Sequence, residues 1–303
     1  MLARAFTSRV AGVKVGIGDD AAVLDGSRER SHIVWTIDEQ VDGAHFRRDF
    51  VSWRSIGWRS FMAAASDVAA MGAEPWCALC ALVLPDDVGD AELEEIARGQ
   101  SEAAARAGAA VVGGNLARGR SLSIATTLLG TCDRAVLRSG ARAGDTLWMA
   151  GRVGLAAAGL RALDLGRGDD PRLLEAVAAW RTPEALVAEG LAMSPVAHAA
   201  IDVSDGLARD AGHLGEAGGV RVVFEEDALR ADDSLIQAAA ALGEDPLVLA
   251  LHGGEDYALV VASPQPIHGF RPIGQLVEGR GLSLRGAHGE RAIEPRGFDH
   301  FER

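Results

Sequence analysis

A chain of 303 residues with 48% hydrophobic and 24% charged residues, 37 glycines and 10 prolines has the profile of a globular enzyme and the length of two domains. Its net charge of −13 argues against nucleic acid or an anionic membrane as the natural partner, and no stretch reaches the roughly 18 apolar residues of a membrane helix. Lys14 is the only lysine, so a Schiff base or a phosphate-loop lysine would have to be that residue.

The first 18 residues carry Arg4, Arg9 and Lys14 without the apolar run of a secretory signal. "VGIGDDAAVL" follows at once, which suits a plain N-terminus and a cytoplasmic protein. "SHIVWTID" reads as a strand, "RSIGWRSFMAAASDVAAMG" as a helix closed by Gly72, and "PWCALCALVLP" as a second strand. Cys77 and Cys80, three apart on that strand, point to opposite faces and suit packing better than a shared metal. "DAELEEIARGQSEAAARAG" is a helix with Asp90 as N-cap and Gly108 at its end, and "AAVVGG" and "SLSIATTLLGTC" are two more strands. The glycine- and charge-rich "RSGARAGD" marks a boundary, giving domains 1–138 and 139–303.

The second half repeats the style. "TLWMAG" is a strand, "VGLAAAGLRALDLG" a helix, "RGDDPR" a polar linker, and helices run through "PEALVAEGLAM". "HAAIDVSDGLARDAGHLGEAGG" reads as strand, turn and helix, with Ser204 or Asp205 as the cap. "VRVVFEE", "LVLALHGGEDYALVVAS" and "RPIGQLVEG" complete a second sheet, for an α/β or α+β architecture.

"GGNLARGRS" matches G-x-x-x-x-G-K-[ST] from Gly114 with arginine for lysine. A phosphate loop needs a helix after its glycines, whereas "SLSIATTLLG" has strand character. The match therefore reads as a strand-to-strand turn. Acids beside small residues recur instead, at Asp19 and Asp20, Asp38, Asp67, Asp202 and Asp205, and Glu255 and Asp256. Each alone has a plain explanation as a turn residue or cap. Asp67, inside an alanine-rich helix, is the exception, because a buried unpaired carboxylate is costly. Many carboxylates with almost no lysine fit Mg²⁺ handling phosphates.

In combination and order, "GIGDDAAVL", "DGAHF", "SDVAAMGAEP", "GGNLARG", "RSGARAGD", "IDVSDGLARDAGHL", "GGEDYAL" and "GFDHF" resemble the thiamine-monophosphate kinase family. Its superfamily includes aminoimidazole ribonucleotide synthetase, selenophosphate synthetase and the hydrogenase-maturation dehydratase. The resemblance implies a two-domain α/β fold of the aminoimidazole ribonucleotide synthetase type. It implies an N-terminal α/β domain that dimerises through its sheet and a C-terminal α/β domain, with the active site in the cleft between them. It also implies direct transfer of a phosphoryl group from ATP to thiamine monophosphate, without a covalent intermediate, assisted by several Mg²⁺ ions. By motif, Asp20, Asp38, Asp67, Asn115, Asp202 and Asp205 fall at metal positions. Gly114, Asn115, Arg138 and Ser204 fall at ATP positions, and His45, Glu255 and Phe298 at substrate positions.

The chain departs from that pattern where Asn115 and Leu116 replace the family's Asp-Thr, where Ile37 replaces a hydroxyl residue before Asp38, and where Glu39 follows it. Nothing in the sequence explains Glu184 in "RTPEAL", where an arginine is frequent. A sister enzyme activating a carbonyl or amide oxygen with ATP, and a Mg–ATP-binding homologue without turnover, stay open as alternatives.

Overall fold

The structure, a computed structural model, describes residues 13–15, 22–25 and 32–298. It divides into two compact units, Met1–Ala135 and Val136–Arg303. Arg138 thus belongs to the second unit. Both units are mixed α/β, each with its own sheet.

The first unit holds a six-stranded sheet in the order β1-β2-β3-β6-β4-β5. Its strands are β1 (Val13–Val15), β2 (Ala22–Asp25), β3 (His32–Val41), β4 (Glu74–Leu84), β5 (Ala110–Arg118) and β6 (Ser123–Cys132). Alternation sets its faces: along β6 every second residue is buried, as expected for a sheet covered on one side. The covering helices are α1 (Trp53–Ala70) and α2 (Asp90–Arg106). Ser52 caps α1 by accepting from Ser55 N, and the alanine run lets the helix bury nearly its whole length. Glycines bring the two helices into contact. A Cβ on Gly57 would lie 1.9 Å from the Ile96 carbonyl oxygen, and one on Gly99 would lie 1.9 Å from that of Arg54.

Among the described strands of this sheet, only β4 and β5 pair in parallel, joined through α2 as a parallel crossover requires. Asp90 does not cap α2. Gly89 occupies the cap, Asp90 enters the first turn, and the Gly89 N–H donates to Glu92 Oε2 at 3.0 Å. Cys80 is buried and Cys77 half-buried, on alternate faces of β4. The glycine motif is mostly strand: β5 continues through Arg118, and the turn to β6 begins at Gly119. No helix follows it, so it is not a phosphate loop.

The second unit holds seven strands in the order β13-β12-β9-β11-β7-β10-β8. They are β7 (Thr146–Ala150), β8 (Ala199–Val203), β9 (Val220–Glu225), β10 (Ala258–Ser263), β11 (Arg271–Glu278), β12 (Leu282–Gly286) and β13 (Gly289–Ile293). Its helices include α3 (Leu155–Asp164), α4 (Leu174–Arg181), α5 (Val187–Met193) and α6 (Leu207–Gly218). Further along come α7 (Glu226–Leu229), α8 (Asp233–Leu242) and α9 (Pro246–His252). β8 and β10 are buried along their whole length, as in a sheet covered on both faces.

Two expectations change here. "LVLALH" is the helix α9 rather than strand, because Asp245 caps it by accepting from Leu247 N at 2.9 Å and Pro246 opens its first turn. Neither Ser204 nor Asp205 caps α6; Gly206 does, without a side-chain bond.

Candidate active site

In the first unit the candidate residues gather on the helix-covered face of the sheet. Thr36, Asp38 and Gln40 alternate with the outward Trp35, Ile37 and Glu39 along β3. Asp67 reaches this face from α1 and accepts from Thr36 Oγ1 at 2.5 Å. That contact, with partial exposure of Asp67, resolves how an acid survives in an alanine-rich helix. Asp38 Oδ1 accepts from Gln40 Nε2 at 3.2 Å. Behind them Arg59, fully buried, donates through Nε to Gln40 Oε1 at 3.4 Å and through Nη2 to the His45 carbonyl at 3.1 Å. His45 Nδ1 in turn accepts from Val41 N at 3.0 Å, which fixes the proton on Nε2 in the neutral ring. One buried guanidinium therefore ties the Asp38 strand to the His45 turn.

Gly114 and Asn115 lie on the edge strand. Asp38, Thr126, Cys80 and Gly114 form one cross-strand row; Glu39, Ala125, Ala81 and Asn115 form the next. Asn115 therefore shares the outward row of Glu39, not that of Asp38. Three strand spacings separate β3 from β5, roughly 14 Å, so Asp38 and Asn115 do not converge on one ion within this unit. A Cβ on Gly114 would lie 1.8 Å from the Cys80 carbonyl oxygen, so the glycine serves close strand approach. Asp20 lies outside the described residues. The outward face exposes Trp35, Ile37 and Leu79.

In the second unit, Asp202, Ser204, Asp205, Glu255 and Phe298 are brought together around the end of β8. Asp202 is buried within the strand opposite Leu259. The Glu255 N–H donates to the Ser204 carbonyl at 2.8 Å, and the Phe298 N–H to the Asp205 carbonyl at 2.9 Å. Arg209 lies 3.4 Å from Asp205 Oδ2 and also donates to the Phe298 carbonyl. Phe298 is half exposed.

Two acids that the motifs left without a role hold this arrangement. Asp210, 4% exposed, accepts through one oxygen from the N–H groups of Ser204, Asp205 and Gly206, at 3.1, 3.0 and 3.0 Å. Asp256 accepts from Gly154 N at 2.6 Å and Ala156 N at 3.0 Å. Burial pushes its carboxyl up to about 7, against the pull of those N–H groups, with Glu255 adding to the rise. The signal for Asp210 was present as an acid in the first turn of a helix; for Arg59 it was a charge in an apolar helix, the same signal that marked Asp67.

Beside this cluster a cavity of about 900 Å³ is lined by Arg209, His213, Glu216, Arg280, Leu282 and Pro295 among others. Burial, then Arg138 and Arg209, hold the His213 ring below its ordinary pKa, while Glu216 and Asp205 pull the other way. Among the described residues no three His, Cys, Asp or Glu side chains converge as a preformed metal cage. The donors are all hard oxygens in ones and twos, which suits Mg²⁺ completed by water and phosphate oxygens.

Residues 18–132 match the family described as AIR synthase related protein, N-terminal domain. Thiamine-monophosphate kinase of Aquifex aeolicus is 32% identical over 94% of this chain and 92% of its own length. That of Mycobacterium tuberculosis is 38% identical over 88% of this chain and 80% of its own. A solved structure described as AaThiL complexed with AMPPCP and TMP superposes with a TM-score of 0.90 at 31% identity, covering 99% of this chain and 94% of that one. With both sheets, the acidic motifs and these likenesses in agreement along nearly the whole length, the chain belongs to the thiamine-monophosphate kinase family.

Proposed function

We propose that this chain transfers the terminal phosphoryl group of ATP directly to thiamine monophosphate, giving thiamine diphosphate and ADP. The observation that carries the reading is the near full-length likeness to a structure holding AMPPCP, an ATP analogue, together with TMP. The chemistry on the page agrees. A phosphate monoester with a second pKa of about 6 is largely a dianion at neutral pH, so the acceptor needs no strong base. What remains is alignment and neutralisation of two anions.

Mg²⁺ supplies that neutralisation when bound. Asp38 and Asp67 would hold it in the first unit, and Asp202 and Asp205 in the second, with Asn115 at a separate position. Asp20 takes the same role on the resemblance. Arg138, Ser204 and Gly114 are assigned to ATP on the resemblance. His45, Glu255 and Phe298 are assigned to the acceptor, with Phe298 stacking on the cationic thiazolium and Glu255 complementing its charge. A homodimer through the outward face of the first sheet is supported by its exposed Trp35, Ile37 and Leu79. A cytoplasmic location fits a biosynthetic role; among the described residues no single helix is long and apolar enough to cross a membrane.

The test is ADP release by purified protein with Mg–ATP, with and without thiamine monophosphate, and identification of the product. Turnover that requires the acceptor and yields thiamine diphosphate is expected. Mg–ATP binding without acceptor-dependent turnover would overturn the proposal.

A further inference from the structure

The loop Gly253–Tyr257 joins α9 to β10 and carries Glu255. Among the described residues, Glu255 (φ 68°) and Tyr257 (φ 50°) are the only non-glycine residues with positive φ. Such conformations persist only where the surroundings over-determine them. Two of the ties are backbone: Glu255 N–H to the Ser204 carbonyl and Tyr257 N–H to the Val203 carbonyl, each 2.8 Å. Both fasten the loop to the end of β8. The third comes from Asp256, between the two left-handed residues, whose carboxylate accepts from Gly154 N and Ala156 N in the first turn of α3. The glycines ahead of it leave no slack, since a Cβ on Gly254 would lie 2.5 Å from the Ser204 carbonyl oxygen.

Asp256 makes no ion pair with an arginine or histidine among the described residues. Its partners are N–H groups of a helix start, which a carboxylate satisfies well and an amide cannot, because the NH₂ of an asparagine would face one of two donors. We infer that Asp256 is a positioning residue for the acceptor site: its carboxylate, clamped to the first turn of α3, holds the loop in the left-handed geometry that presents Glu255 to thiamine monophosphate. The inference rests on the assignment of Glu255 to the acceptor.

Kinetics of the full chain separate positioning from mere stability. Asp256→Ala is expected to raise KM for thiamine monophosphate about tenfold or more, the scale of a small misplacement of a binding group. KM for ATP should stay within about twofold and kcat at saturating acceptor should be largely kept, the pattern of lost uniform binding. Asp256→Ser, which keeps one oxygen acceptor for the helix start, should recover part of the loss. If the alanine variant is recovered unfolded, the serine variant, compared with wild type, carries the test. An unchanged acceptor KM, or equal rises for both substrates, overturns the proposal. Glu255→Gln tells the two failures apart: if it leaves acceptor KM unchanged, the role of Glu255 falls and the positioning role with it. If it raises that KM while the Asp256 variants do not, the positioning role alone is wrong.

Discussion

Gly114→Ala should be far more damaging than Gly113→Ala, although both add one methyl group to the same edge strand. At Gly114 the added Cβ would lie 1.8 Å from the Cys80 carbonyl oxygen, against an ordinary contact of 3.4 Å or more. The two strand backbones must therefore separate by about 1.6 Å, the difference of those distances. Carbonyl and amide groups cannot swing aside as a side chain can, so β5 is pushed from β4 next to the row that carries Asn115. Overpacking of this kind costs about 1–3 kcal/mol, and a displacement above 1 Å at a binding residue is enough for roughly 100-fold in rate. At Gly113 the nearest atom is the Leu79 Cδ2 at 3.1 Å, the tip of an exposed side chain; the cost should stay within about 0.5 kcal/mol. Thermal melts and kcat/KM of both variants check this. Equal behaviour would refute the view that Gly114 is there for close strand approach.

Asp210→Asn keeps one oxygen for the Ser204–Gly206 loop but removes the charge from three hydrogen bonds. A loss of about 1–3 kcal/mol is expected, seen as a Tm fall of ~2–4 °C per kcal/mol for a unit of this size; an unchanged Tm would show that the loop is held by other means. For Asp256, with its carboxyl raised from 3.8 to about 7 on folding, the folded state binds more protons than the unfolded state between those values. The part of the stability linked to that proton is therefore present below about pH 4, falls as pH rises, and is gone above about 7, while the hydrogen bonds to Gly154 and Ala156 are a separate contribution. His213, lowered in the fold, works oppositely: its contribution is lost as pH falls below about 6.5. The stability gap between wild type and Asp256→Asn isolates the acid, and chemical denaturation should give a wider gap at pH 5 than at pH 8. An equal gap at both would rule out the raised carboxyl. Asn115→Asp should lower the Mg²⁺ concentration needed for half-maximal activity severalfold, since a charge is restored to an oxygen donor. A superposable Mg²⁺ titration would mean that Asn115 does not meet a metal.

Strands with alternating burial and the capped or glycine-ended helices were legible because their signals are local. β3, β4 and β6 announce themselves by β-branched and aromatic residues, and α1 by its alanine run closed at Gly72. "LVLALH" misled because six apolar residues fit a buried strand and a buried helix equally well; the Asp-Pro ahead of it was the deciding signal. The hairpin of β12 and β13 was missed because its outer strand is largely exposed and charged, with little apolar period to read. In the sites, the acids themselves were visible, but their division of labour was not. Which carboxylate meets a ligand and which meets the backbone depends on where the neighbouring N–H groups point, and that is settled by tertiary contacts.

That division follows one rule in the second unit. Asp205 and Asp210 share one motif, and Glu255 and Asp256 share another. In each pair the second acid accepts hydrogen bonds from backbone N–H groups. Fixing a loop by carboxylate-to-amide bonds needs no long, entropically costly side chain. Some of the negative charge is structural, and it is cancelled locally by N–H dipoles before it can repel a phosphate.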